Sequence, residues 1–267
     1  MISNSVIIGL IINASLCIGF PILLIIYAQK RYGRVAGPIV FGALCFMISQ
    51  VVIRIPLITA VLPSMMWYSV MSVNNPIMYY IFLGVTAGIF EEVGRYIFIK
   101  IFMKKNHRYG DALAFGIGHG SVEAVLLVGI NAVTMVIFAN MINAGTFTAE
   151  LTSLPAESID MISANLLSAT PFLAYLGGIE RVFTIIFHIG LTMLVFSGIL
   201  SGKGIKNLLL AIFIHALVDA LAGILPMYFH ISVIYVEIII AIFAVGAFIY
   251  TRKIKNDKHW EDEVKMY

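Results

Sequence analysis

What most constrains this chain is a succession of apolar runs, each of about 18 residues or more, separated by short polar breaks. A bilayer core about 30 Å thick calls for about 20 apolar residues per spanning helix, and no lipid-exposed backbone can leave its polar groups unpaired there. Runs of this length therefore read as membrane-spanning helices. Composition agrees, with 61% of the 267 residues hydrophobic and 12% charged at a mean hydropathy of +1.00, against roughly 25% charged residues in a soluble domain. A soluble globular domain, a disordered chain, collagen and a coiled coil are all excluded. The expected fold class is all-α, a polytopic transmembrane helical bundle.

Polar breaks divide the chain into seven spans, at roughly 5–28, 36–62, 76–103, 111–141, 171–201, 205–225 and 229–251. The basic residues supply an internal test of that number. Lys30, Arg31 and Arg34 follow the first span, Lys104, Lys105 and Arg108 the third, Lys203 and Lys206 the fifth, and Arg252, Lys253, Lys255 and Lys258 the seventh. The alternate loops 63–75, 142–170 and 226–228 hold no Lys or Arg. By the positive-inside rule the N-terminus lies outside and the C-terminus in the cytoplasm, as expected for a multi-pass plasma-membrane protein. Met1 to Ser5 lacks the basic start of a cleavable signal, so the first run is kept as a span.

Residues 1–251 are expected to form a single transmembrane domain, with 252–267 as a charged cytoplasmic tail. The loop 146–169 carries Ile159, Ile162 and Leu166 at helical spacing and reads as a short amphipathic interfacial helix. Asn75 before Pro76 reads as a helix cap, and Asp111 as a cap of the fourth span. Cys17 and Cys45 lie within spans and read as small buried hydrophobes. The net charge of +3 is accounted for by the basic helix ends, so no nucleic-acid partner follows. The lipid bilayer is the one partner that composition implies.

Ionisable groups inside a span cost about 2.5–3.5 kcal/mol each on insertion scales and mark functional sites. Here they are Glu91, Glu92 and Arg95 on the third span, His119 and Glu123 on the fourth, Glu180, Arg181 and His188 on the fifth, His215 and Asp219 on the sixth, and Glu237 on the seventh. At about 1.5 Å rise per residue, Glu92 lies roughly 17 Å from the cytoplasmic end of its span, His119 about 12 Å, His215 about 15 Å and His188 about 20 Å. Four helices thus place polar groups in one layer. His119 with Glu123, and His215 with Asp219, are four residues apart and form two histidine–acid stripes. Glu91 and Glu92 point about 100° apart on their helix, with Arg95 within reach of either.

Gly84 with Gly88, and Gly116 with Gly120, suggest close packing of the third and fourth spans. Arg54 reads as a snorkelling residue near the outer interface. His107, His230 and His259 read as exposed, and Glu237 with Arg181 reads equally as a structural ion pair or as part of a site.

Three histidines and a carboxylate match the ligand types of a catalytic zinc, with His119, His188 and His215 as the metal candidates. Glu92 would be the general base, and Glu123 and Asp219 would orient their histidines, or one of the two would itself bind the metal. A metal-free site is also coherent, in which Glu92 activates water and His119 or His215 stabilises the oxyanion. Spacing alone does not choose between them.

The runs Glu91-Glu92-Val93-Gly94-Arg95, Phe115-Gly116-Ile117-Gly118-His119 and His215-Ala216-Leu217-Val218-Asp219 resemble the three motifs of the CAAX-protease and bacteriocin-processing superfamily of intramembrane proteases. With Tyr96 after Arg95, Glu123 after His119, and Glu180-Arg181 leading to His188, the set most resembles the YhfC family of intramembrane metalloproteases. The resemblance covers about half the chain. It implies an intramembrane peptidase acting on a membrane-embedded or membrane-adjacent peptide or membrane-protein substrate, with Glu92 as base or water activator supported by Glu91 and Arg95, His119 and His215 binding metal or stabilising the transition state, and the additional His188 favouring the metal form. One spacing departs from the wider superfamily: two residues, Val93 and Gly94, separate Glu92 from Arg95 where three are usual. That turns Arg95 by about 100° relative to the carboxylates. The readings from other classes are a proton- or ion-coupled transporter and a non-enzymatic membrane partner that keeps a degenerate site. A transporter would carry an internal repeat, and none is evident. Oligomeric state is not legible in the sequence.

Overall fold

A computed structural model describes residues 1–261. The acidic end of the expected tail, 262–267, lies outside the described residues. Seven helices are long and apolar enough to cross a membrane, and the chain is a multi-pass membrane protein. We number the helices α1 (Asn4–Tyr32), α2 (Ala36–Ser64), α3 (Met66–Asn74), α4 (Pro76–Phe102), α5 (Tyr109–Ala144), α6 (Ala156–Ser168), α7 (Pro171–Leu200), α8 (Gly204–Met227) and α9 (Val233–Lys253). All but α3 and α6 are spans, and they coincide closely with the apolar runs of the sequence. No strand occurs among the described residues.

Local chemistry sets several boundaries. Asn75 Oδ1 accepts from the Met78 amide at 3.3 Å, capping α4 behind Pro76. Asp111 Oδ2 accepts the Arg108 amide at 3.2 Å at the head of α5, and its other oxygen takes Arg108 Nη2 at 2.6 Å. Arg108 also donates to the Tyr32 and Gly33 carbonyls, which ties this corner to the end of α1. The loop helix expected around Ile159 and Leu166 is present as α6, with both side chains buried. α3 falls within the loop 63–75, where no helix was expected; its nine residues are too few for a span-length pattern to reveal.

Two helices depart from regular α winding. α2 is π-wound at Met47–Arg54 and again at Leu57–Val61. Pro56 sits between these stretches; it has no N–H to donate and its ring crowds the carbonyl one turn back. α5 is π-wound at Ala124–Gly129.

The chain divides into two compact units, Met1–Leu23 with Glu123–Val182, and Leu24–Val122 with the chain from Phe183 onward. In the first unit Ile2, Val6, Leu10, Ala139, Leu166 and Ala174 form an apolar cluster. Asn143 closes it at the chain start, accepting from the Ile2 amide at 2.7 Å and donating to the Ile2 carbonyl at 2.9 Å. In the second unit the core runs through Cys45, Phe115, Ile117, Met193, Phe196 and Ala211. Trp260 packs against Tyr109 and Phe196, beyond the end of α9.

Glycines fix which helices meet in the second unit, and the pairing differs from the expected one. A Cβ at Gly84 would lie 2.6 Å from the Ala216 carbonyl oxygen, and one at Gly88 2.7 Å from that of Ile212, so these two glycines seat α4 on α8. Gly116 faces Ile189 of α7, and Gly118 faces α2, where a Cβ would fall 2.0 Å from the Ile39 carbonyl oxygen. Small residues permit such approach between any two helices, and their spacing in sequence does not say which.

Gly118→Val is expected to destabilise the protein in detergent by on the order of 1–3 kcal/mol through overpacking. Gly246→Ala, at a position with no neighbour within 4 Å of the added carbon, leaves the thermal unfolding midpoint unchanged. Equal midpoints for the two variants would contradict the close approach of α5 to α2.

Candidate active site

Adjacent carboxylates on a helix point in different directions, and Glu91 and Glu92 on α4 accordingly find different partners. Both are buried, Glu92 completely. Glu92 Oε1 accepts from His215 Nδ1 of α8 at 2.8 Å and pairs with Arg95, one turn along α4. Glu91 faces the other histidines. Its Oε2 lies 2.9 Å from His119 Nε2 of α5 and 3.8 Å from His188 Nδ1 of α7, and its Oε1 lies 3.8 Å from His215 Nε2.

The three imidazoles form a group. Ring centroids of His119 and His188 are 4.9 Å apart, and those of His188 and His215 are 5.2 Å apart. Phe46 closes edge-on against His119, and Phe187 against His215. Glu91, His119 and His188 each offer a ligand atom within 4.8 Å of the others. Side chains from α4, α5, α7 and α8 are thus neighbours.

Proton positions follow from the partners. Arginine only donates, so Arg95 Nη2, 3.2 Å from His188 Nδ1, takes that lone pair. His188 can bind a metal only once this contact is released, because a neutral ring whose Nδ1 accepts carries its proton on Nε2. His215 donates from Nδ1 to Glu92 and keeps Nε2 for other use. The buried atoms with no hydrogen-bond partner among the described residues include two possible acceptors at this cluster, Glu92 Oε2 and His119 Nδ1. Buried polar atoms rarely stay unpaired. Imidazole nitrogens and carboxylate oxygens suit zinc, and two orphaned acceptors at the cluster are what a bound cation or water would satisfy, so the residues fit a metal ion.

Asp219 Oδ2 is 3.7 Å from His215 Nε2, and its side chain is 40% exposed, which puts it where the cluster meets the outside. Glu123, one turn beyond His119, belongs to the first unit, where its Oε1 accepts from Arg181 Nη1 at 2.7 Å. Arg181 also pairs with Glu180, so three charges form one triad there. His230 and His259 are exposed, and His107 is half-buried against Glu261.

Sequence reading missed two residues. Gln50, in the middle of α2, is buried and donates from Nε2 to Glu91 Oε1. Arg54, expected to snorkel, instead turns inward to three protein acceptors: Gln50 Oε1 at 3.1 Å, the Leu83 carbonyl at 2.7 Å and Thr86 Oγ1 at 3.2 Å. A search for ionisable groups passes over a neutral amide; a search for any polar side chain in mid-span would have found Gln50.

Comparison with known proteins places the geometry in context. The sequence model of the family described as YhfC intramembrane metalloprotease matches residues 16–244. The uncharacterized membrane protein YhfC of Bacillus subtilis (strain 168) is 32% identical over 245 residues, covering 91% of this chain and 94% of the relative. No solved structure matches.

Removing Arg181 takes the shared cation from the buried Glu123 and the half-buried Glu180, and losing one partner of a buried pair costs about 3–5 kcal/mol. Arg181→Leu should therefore unfold at a markedly lower temperature than wild type. Combining it with Glu123→Gln and Glu180→Gln should recover most of the loss. No recovery in the triple variant would mean that Arg181 supports the fold by some route other than the triad.

Proposed function

The chain belongs to the YhfC intramembrane metalloprotease family, and from that premise we propose that it is a plasma-membrane peptidase hydrolysing a peptide bond of a membrane-embedded or membrane-adjacent substrate, with a zinc ion and a glutamate base. The observation that carries this reading is the buried cluster in which Glu91, His119 and His188 bring ligand atoms within 4.8 Å of one another, with His215 beside them. A catalytic zinc takes three protein ligands and leaves a position open. His119, His188 and His215 would hold it, with Glu91 bracing His119 at Nε2. When bound, the ion supplies Lewis acidity to a carbonyl and to a water.

The chain's own residues do the rest. Glu92 Oε1 is held by Arg95 and His215 while Oε2 is uncommitted, which is the arrangement a general base needs: fixed at one oxygen, available at the other. As the oxygen of a water adds to the scissile carbonyl carbon, its proton passes to Glu92 Oε2. The C–N bond then breaks and the same proton goes to the leaving amine. Arg95 keeps Glu92 in place and compensates the carboxylate's burial. Glu92, at His215 Nδ1, orients that ring and leaves its Nε2 for the metal. The surrounding rings of Phe46 and Phe187 exclude bulk water and strengthen every charge interaction inside.

Metal analysis by mass spectrometry on detergent-purified, chelator-free protein should find about one zinc per chain, lost in His119→Ala. Glu92→Gln should retain the zinc yet cleave a panel of quenched transmembrane peptides in liposomes about 10²–10⁴-fold more slowly. Absence of zinc from the wild type would remove the metal from the mechanism. Cleavage by Glu92→Gln at the wild-type rate would remove Glu92 as base.

A further inference from the structure

We propose that Arg54 and Gln50 are positioning residues that set the direction of the Glu91 carboxylate and, through it, the tautomer of His119, so that this ring presents Nδ1 to an incoming cation. The cation half of this statement rests on the metallopeptidase reading above; the tautomer half does not.

The inference follows from the direction of each hydrogen bond. A guanidinium has five N–H donors and no acceptor. Arg54 is half-buried and spends its donors on three partners, two of which, the Leu83 carbonyl and Thr86 Oγ1, belong to α4, the helix that carries Glu91. The third is Gln50 Oε1. The Gln50 amide is thereby oriented: its oxygen faces Arg54, so its NH₂ must face Glu91 Oε1. The opposite flip would set the amide oxygen against a carboxylate oxygen and the amide N–H groups against a guanidinium, so the network admits one orientation.

Glu91 is then held at both ends. With Oε1 accepting from Gln50, Oε2 meets His119 Nε2 at 2.9 Å. A carboxylate only accepts, so His119 donates from Nε2 and its lone pair sits on Nδ1. That nitrogen is buried and has no hydrogen-bond partner among the described residues, as expected of an atom reserved for a ligand. A carboxylate that holds one ring nitrogen while the other faces a metal is a recurring way of fixing a ligand histidine. Gln50 and Arg54 extend that arrangement outward by two residues. Both lie on the stretch of α2 that is π-wound, Met47–Arg54, and π turns collect at functional sites.

The test is nitrogen NMR on protein labelled with ¹⁵N-histidine in lipid nanodiscs without metal, with the His119 signals identified by their loss in His119→Asn. Wild type should show a protonated Nε2 and an unprotonated Nδ1. Gln50→Leu and Arg54→Met should shift His119 toward the other tautomer, and Arg54→Lys, which keeps a donor for Gln50 Oε1, should restore the wild-type pattern. If Gln50→Leu does not fold, Arg54→Met beside Arg54→Lys decides the question with Gln50 in place. A protonated Nδ1 in wild type, or an unchanged tautomer in the folded variants, overturns the proposal. In parallel, zinc titration against a chromogenic chelator should give a dissociation constant about 10–100-fold weaker in Gln50→Leu than in wild type. Wild type that binds no zinc would count against the metallopeptidase reading alone, since the NMR result decides the relay independently.

Discussion

Two adjacent carboxyl groups in the middle of one membrane span are the constraint on which the second unit is built. Glu91 and Glu92 cannot face hydrocarbon, and because neighbours on a helix diverge by about 100° they cannot share one set of partners. Glu91 draws on α2 and α5 through Gln50 and His119. Glu92 draws on α8 through His215 and on its own helix through Arg95. The helices that must lie beside α4 are therefore chosen by its acids, and glycines make the approach feasible: Gly84 and Gly88 on the side of α8. Polar satisfaction and close packing select the same neighbours.

The first unit uses buried charge differently. Glu123, Glu180 and Arg181 pair with one another within it. Removing one member of such a triad leaves the others without compensation, which makes it a determinant of fold integrity. At the cluster around Glu91 two acceptors, His119 Nδ1 and Glu92 Oε2, have no hydrogen-bond partner among the described residues.

Much of this was legible in the sequence because membrane physics leaves few choices. Apolar runs must become spanning helices, and the seven spans fell within a few residues of their observed limits. Histidines and acids in mid-span announced a polar cluster. What was illegible depended on which helix neighbours which. Gly116 and Gly118 lie two residues apart yet face different helices, α7 and α2, and no periodicity reveals that. Arg54 looked peripheral because depth was counted along the helix, whereas its long side chain reaches inward to Leu83 and Thr86. Gln50 escaped because a neutral amide carries no charge to flag it, although its burial imposes the same demand for partners.

The pairing of Glu91 with Gln50 and of Glu92 with Arg95 bears on how the chain is made. Synthesis runs from the N-terminus, so α2 is complete before the acids of α4 emerge, and Arg95 follows Glu92 within one helical turn. The earliest donors for both carboxylates are thus encoded within the first three spans. His119, His188 and His215 arrive on three later spans, in that order. Assembly of the acid pair does not have to wait for the last helix, and the histidines, when they come, join carboxylates whose orientation has already been chosen.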